Sequence, residues 1–314
     1  MERAELERRL RDARTHEQWV DVLAGYFAGH GLTFGHGTDN PGDEAFWLVH
    51  HLLGRRDDRW RAAPEAHLAA RAAALAAERA ERRRPLAYVL GEAWFAGLGF
   101  AVDERVLVPR SPLAEVLERG FAPWCEPAPG DRVLDIGTGS GCIAIAAAHY
   151  CPGVQVDATD VSEDALAVAA DNVRRHGLEG RVRLHRADLF PAGGGPYRAI
   201  ISNPPYVPSA EVDALPAEYR AEPRVGLAGG QTGLEPAARI VRGARDFMTA
   251  DGILIVEVGA GAAAFERAFP RLPVTWLEFE RGGDGVFLVT AEQLEKHLAP
   301  RPNAATPRGE GDVG

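Results

Sequence analysis

The tetrapeptide Asn203-Pro204-Pro205-Tyr206 constrains chemistry more tightly than any other segment of this chain. Two consecutive prolines lack N–H groups and fix their φ angles, so the backbone is stiff and its carbonyls are free to accept. The asparagine side chain adds an acceptor, and the tyrosine supplies an aromatic face. A rigid set of acceptors suits one task, holding an –NH2 group by its hydrogens. Pinning both hydrogens aims the nitrogen lone pair at an electrophile. It also offsets the positive charge that grows on nitrogen as the new bond forms. A plain proline turn is the alternative for these four residues alone. Their position after an apolar strand, Ala199–Ser202, in a chain that also carries a glycine loop, argues against it.

That loop is Val133-Leu134-Asp135-Ile136-Gly137-Thr138-Gly139-Ser140-Gly141, running from an apolar strand into a helical stretch, Cys142–His149. Open α/β sheets bind ligands at such strand ends. Glycine lets the backbone approach the ligand, and the helix start offers unpaired N–H groups. The dinucleotide fingerprint needs its third glycine where this chain has Cys142, and a phosphate-binding P-loop needs Lys then Ser or Thr where it has Cys142-Ile143. Neither phosphate motif fits. Asp160 ends the next strand, where a carboxylate accepts both hydroxyls of a ribose. Asp188, after the third strand, is placed to accept from an adenine amino group. Helix capping is the alternative role for each aspartate. Cys142 reads as a small core residue, and His36 with Asp39 as a turn between helices rather than as catalytic groups.

The glycine loop with Asp160 and Asp188 resembles the S-adenosyl-L-methionine loop of class I methyltransferases, whose ligand has an adenosine but no phosphate. With the tetrapeptide added, it resembles the amino methyltransferases that act on adenine exocyclic nitrogens or on glutamine side-chain amides. Both acceptors are planar –NH2 groups conjugated to a π system, so the tetrapeptide does not separate them. Other segments do. Gly35-His36-Gly37-Thr38-Asp39-Asn40-Pro41, Trp94-Phe95, the run from Val102 to Pro112, Thr275–Phe279 and Gly282–Phe287 resemble the ribosomal-protein branch of the protein-(glutamine-N5) methyltransferases. Release-factor enzymes continue the Pro-Arg pair with Pro-Asp/Glu-Thr, whereas this chain has Ser111-Pro112.

The resemblance covers nearly the whole chain. It implies S-adenosyl-L-methionine as the methyl donor and a glutamine of large-subunit ribosomal protein L-three as the acceptor. It further implies that Asp135, Gly137, Thr138, Gly139, Ser140, Gly141, Asp160 and Asp188, with Asn203, form the cofactor site. Asn203, Pro204, Pro205 and Tyr206 would hold the glutamine, and Arg110 and Glu222 would shape its pocket. A surface ion pair is the alternative for Arg110. The segment Glu222 to Gly230 would flank the substrate channel. No metal, membrane contact or direct nucleic-acid binding is implied. A non-catalytic ribosome-assembly factor would show a decayed tetrapeptide or glycine loop, and both are intact.

Positioning these groups requires an α/β sheet. Beyond Gly130, short apolar runs alternate with helical ones, the rhythm of parallel strands with crossover helices. The expected fold is the class I methyltransferase fold, a Rossmann-like seven-stranded sheet that is mostly parallel and ends in an antiparallel hairpin, Val274–Phe279 with Val286–Thr290. Ahead of it, apolar residues at helical spacing predict a helix over residues 2–28, a second that Asp43 could cap, and a third from Pro64 to Arg84. The chain thus divides into a helical substrate-recognition domain (1–86), a β-hairpin linker and helix (87–125), the methyltransferase domain (126–297) and a disordered tail (298–314).

Composition limits the remaining options. The 314 residues carry a formal charge of −10, opposite to the basic footprint of a general nucleic-acid binder. Of 35 basic residues only Lys296 is lysine, which reads as genome-level codon bias. Three cysteines without metal-knuckle spacing argue against a disulfide framework or a zinc site. No apolar run is long enough to span a bilayer, and Met1 to Arg11 lacks the apolar core of a signal peptide. A cytoplasmic protein is expected.

Overall fold

The computed structural model describes residues 1–55 and 59–298; apart from Leu298, the tail expected to be disordered lies outside the described residues. Five helices come first: α1 (Arg3–Asp12), α2 (His16–Gly29), α3 (Pro41–Leu52), α4 (Ala66–Glu81) and α5 (Leu86–Leu90). The single helix expected over residues 2–28 is two. Ala13 takes extended backbone angles, and the Thr15 side chain accepts from the Gln18 N–H to start α2. A short hydroxyl side chain offers the backbone this alternative to the helical ladder. Asp43 is not the cap of α3. Asn40 is, accepting from the Asp43 N–H, and Pro41 opens the helix where its missing N–H costs nothing. These helices enclose a core of their own, in which Leu6, Trp19, Leu23, Phe27 and Leu48 cluster with the alanine face of α4 (Ala69, Ala72, Ala73 and Ala76).

The hairpin β1 (Glu92–Phe95) and β2 (Leu98–Ala101) and helix α6 (Leu113–Glu118) lead into the sheet. Its strands are β3 (Arg132–Ile136), β4 (Gln155–Asp160), β5 (Val182–Arg186), β6 (Tyr197–Ser202), β7 (Met248–Glu257), β8 (Thr275–Trp276) and β9 (Val286–Thr290). They lie in the order β5-β4-β3-β6-β7-β9-β8, parallel as far as β7, with β9 antiparallel to both of its neighbours. The expected antiparallel edge is present, but its outer strand is only two residues long. After Leu277, which still donates to the Val286 carbonyl, the chain leaves the sheet.

Helices α7 (Cys142–Tyr150) and α8 (Glu163–Arg175) cover one face, where Val133, Val156, Ala199 and Ile253 point. The short α9 (Ala217–Arg220) and α10 (Arg224–Leu227) follow the tetrapeptide. Helices α11 (Glu235–Ala244), α12 (Ala262–Ala268) and α13 (Ala291–His297) cover the other face, over Leu134, Ile136, Ile200 and Leu254. Burial on both faces is why the strands read as unbroken apolar runs.

A buried ionic cluster ties the helical unit to the sheet. Arg79 of α4, fully buried, donates through Nε to Glu44 (3.0 Å) and through Nη2 to the Thr33 carbonyl (3.0 Å). Its Nη1 lies 3.5 Å from Glu218 of α9, which also accepts from the Thr33 N–H and pairs with Arg83. Removing one partner of such a cluster strands the others in low dielectric. Arg79→Ala should therefore cost about 3–5 kcal/mol in urea unfolding; a loss below about 1 kcal/mol, the value of an exposed pair, would contradict this account.

Candidate active site

The site begins with strand register. Ile136 of β3 pairs with Ser202 of β6, which pairs with Val256 of β7. Gly137 and Asn203, the residues after Ile136 and Ser202, therefore leave the sheet abreast, beside Glu257, the last residue of β7. The chain winds outward from β3 through β4 to β5, then returns to place β6 on the other side of β3. The crevice between β3 and β6 is thus the topological switch point, where open sheets bind ligands. Ser202 Oγ donates to the Ile136 carbonyl (2.7 Å) and fastens the two strand ends together.

The glycine loop is braced from below. Asp135, completely buried, accepts from the Thr138 hydroxyl (2.6 Å) and the Ala144 N–H (3.1 Å), fixing the loop to the first turn of α7. Burial pushes its carboxyl up to about 7, against these two hydrogen bonds. Gly137 and Gly139 adopt φ of 73° and 54°, and a Cβ at either would project into open space. Positive φ, not crowding, is what selects glycine at these two positions. Asp160 Oδ2 accepts from the Gly139 N–H and Oδ1 from the Ser162 N–H, both at 2.9 Å. Its carboxylate therefore braces the loop while lining the cleft.

A cavity of about 270 Å³ opens over these strand ends. Gly137 to Ser140, Asp160, Val161, Asp188 and Leu189 line it. Asn203, Pro204 and Pro205 also line it, as do Val106 to Ser111, Pro223 and Val225. Asp135, Gly141, Tyr206 and Glu222 do not line it; they stand behind the lining. Asn203 makes no hydrogen bond with other described residues, and no described group donates to the carbonyls of residues 203–206. The Pro205 and Tyr206 carbonyls pack against Gly229 and Gly233, which leaves the Asn203 side chain and the Pro204 carbonyl as the unengaged acceptors.

The residues present fit an adenosine bearing a positive charge better than a phosphorylated ligand. Half-exposed Val161 and neighbouring Leu189 provide apolar surface next to the Asp160 carboxylate. Three arginines line the cavity and each is already matched: Arg105 by Asp103, Arg110 by Glu222 and Arg239 by Asp188. Asp188 is exposed at the rim, its Oδ2 2.7 Å from Arg239. No group of His, Cys, Asp and Glu among the described residues could hold a metal ion.

Two carboxylates behind the lining organise the walls formed by Val106 to Ser111 and the tetrapeptide. Glu222 accepts both Arg110 amino groups, at 2.5 and 2.7 Å, and the Val108 N–H at 3.0 Å. Glu222 is buried and Arg110 only partly exposed, so the pair is not the exposed ion pair of the surface alternative. His36 is also here, its Nε2 3.6 Å from Glu222, although its sequence reads as a remote turn. Glu257 accepts from the Tyr206 hydroxyl (3.1 Å) and the Ser111 hydroxyl, linking the tetrapeptide to the segment before α6. Burial raises the Glu257 carboxyl despite both hydroxyls. Glu257, Ser111 and His36 were not legible as site residues. The available signal was a lone acid closing the apolar run Ile253–Val256, the same pattern that draws attention to Asp160.

Burial raises Glu222 as well, but the adjacent His36 and Arg110 outweigh it and hold the carboxyl below its ordinary value. A depressed folded-state value means that ionised Glu222 stabilises the fold above the ordinary carboxylate range. That stability drains away as pH falls through the depressed value. Glu222→Gln should lower Tm near neutrality and flatten its decline in acid; parallel acid limbs for the two proteins would contradict the assignment.

Comparison with known proteins agrees with this geometry. A model of the methyltransferase small domain matches residues 121–218. Over 283 residues the chain is 45% identical to the ribosomal protein uL3 glutamine methyltransferase of Xanthomonas campestris, covering 88% of this chain and 92% of that one. It is 46% identical over 269 residues to the protein of the same name from Bordetella pertussis, covering 84% and 90%. It is 45% identical over 290 residues to that of Xylella fastidiosa, covering 90% and 92%. With a sheet in the class I methyltransferase order and an identity this high over nearly its full length, the chain belongs to the family of ribosomal protein uL3 glutamine methyltransferases.

Proposed function

We propose that this chain transfers a methyl group from S-adenosyl-L-methionine to the side-chain amide nitrogen (N5) of a glutamine in ribosomal protein uL3, the L-three protein. The observation that carries the reading is the unengaged acceptor pair of Asn203 and Pro204, which lines the same cleft as the glycine loop. S-adenosyl-L-methionine, when bound, supplies a methyl group made electrophilic by its sulfonium sulfur. Gly137, Thr138, Gly139, Ser140 and Asp160 are the residues suited to hold it, with Asp160 accepting the ribose hydroxyls and Asp188 serving the adenine amino group. Asp135 and Gly141 act from behind, shaping the loop.

The chain's own contribution to the reaction is orientation. An amide nitrogen is a poor nucleophile because its lone pair is delocalised. Acceptors that pin both hydrogens turn the nitrogen toward the methyl group and offset charge as the bond forms. No base in the tetrapeptide takes the proton, which leaves to water after transfer. Residues 126–297 act as the methyltransferase domain, and residues 1–86 recognise the protein substrate. The cytoplasm is the setting we assign, in keeping with three free cysteines, Cys125, Cys142 and Cys151.

The purified chain should label uL3 from radioactive S-adenosyl-L-methionine, and leave release factor and unmethylated DNA unlabelled. Label in nucleic acid but not in protein would move the reading to adenine-N6 methylation. Asn203→Ala should lower kcat by about 10²-fold or more, the scale of losing a charge-stabilising group, with cofactor affinity nearly unchanged. Asp160→Ala should chiefly weaken cofactor binding; the reverse pattern in either variant would sink that residue's assignment.

A further inference from the structure

A second cavity, of about 220 Å³, lies between the helical unit and the β1–β2 hairpin. His36, Thr38, Phe46, Trp47, Trp94 and Pro109 are among its walls. Two segments that mark the ribosomal-protein branch, Gly35 to Pro41 and Trp94-Phe95, meet here although the proposed chemistry uses neither. Phe46 and Trp94 are 49% and 41% exposed, Phe46 stacked on Trp60 and Trp94 beneath the Arg55 guanidinium, so aromatic surface faces outward on both sides of the groove. Trp47 Nε1 and the Nδ1 of His36, itself 3% exposed, have no hydrogen-bond partner, whereas His36 Nε2 faces Glu222. Buried polar atoms are nearly always paired, so these point to a polar group supplied from outside.

This groove and the cleft share Val108 and Pro109 as a common wall. Three extended residues reach about 10 Å, enough to pass such a wall. A glutamine delivered to the cleft remains attached to its polypeptide, which must leave across neighbouring surface. We propose that the groove seats the stretch of the protein substrate next to the modified glutamine. An apolar side chain packs against Phe46 and Trp94, and a backbone carbonyl accepts from Trp47 Nε1. The proposal rests on the glutamine-methylation reading above.

The test uses the full chain, purified uL3 and labelled S-adenosyl-L-methionine. Phe46→Ser and Trp94→Ser should each raise KM for uL3 about tenfold, as loss of an aromatic anchor does, while kcat and cofactor Kd stay within about twofold. An unchanged KM in folded variants overturns the groove assignment and leaves the methylation reading standing. Failure of the unsubstituted chain to label uL3 overturns both. Should a variant not fold, as judged by its melting curve, a photoreactive phenylalanine at position 46 decides instead. Crosslinks to uL3 within a few residues of the methylated glutamine support the proposal. Crosslinks only to a second copy of this chain or to its own C-terminal residues, or none at all, overturn it.

Discussion

Ile136, Ser202 and Val256 pair across three adjacent parallel strands, and everything at the site depends on that alignment. Each strand is buried on both faces, so a slip of one residue would turn every side chain to the wrong layer. The register is consequently rigid. It delivers the cofactor loop, the free asparagine and a buried glutamate to one line at the switch point of the sheet. The Ser202 hydroxyl on the Ile136 carbonyl locks the nearest two ends. A reaction that depends on aiming a weak nucleophile needs this kind of rigidity more than it needs a base.

The buried acids of this molecule serve the same purpose. Asp135 holds the glycine loop to α7, Glu222 holds Arg110 and the Val108 backbone, and Glu257 joins Tyr206 to Ser111. Glu218 carries the bracing into the helical unit through Thr33 and Arg83. Each carboxylate accepts from at least two donors on different elements or turns. Isolated burial of a charge would be costly, so these acids persist only with their partners in place. The segment after the tetrapeptide is thereby anchored on both sides, to the linker by Glu222 and to the helices by Glu218. The helical unit, the linker and the segment after the tetrapeptide are joined through buried carboxylates.

Much of this was legible in the sequence, because the strands and the two motifs are local. Val133–Ile136 with its glycines, the apolar run before Asn203 and the two prolines each report their own conformation. The antiparallel edge and the hairpin around Gly97 also follow from alternation and turn residues. What escaped is non-local. Nothing near His36 signals that it meets Glu222, far along the chain, and nothing near Ser111 signals Glu257. Local competition misled the helix assignments too. Thr15 and Asn40 cap through side-chain oxygens within apolar patterns that, taken alone, favour a longer helix or a different start. Tertiary pairing decided the site, and side-chain hydrogen bonds decided the ends.

The central claim is that Asn203 and the Pro204 carbonyl grip the acceptor amide. A crystal structure of the chain with S-adenosyl-L-homocysteine and a glutamine-bearing uL3 peptide tests it most directly. The account predicts the amide nitrogen within hydrogen-bond distance of Asn203 Oδ1 and a carbonyl of the tetrapeptide, facing the sulfur. An amide bound elsewhere, or Asn203 spent on the cofactor or on the protein's own groups, would contradict it.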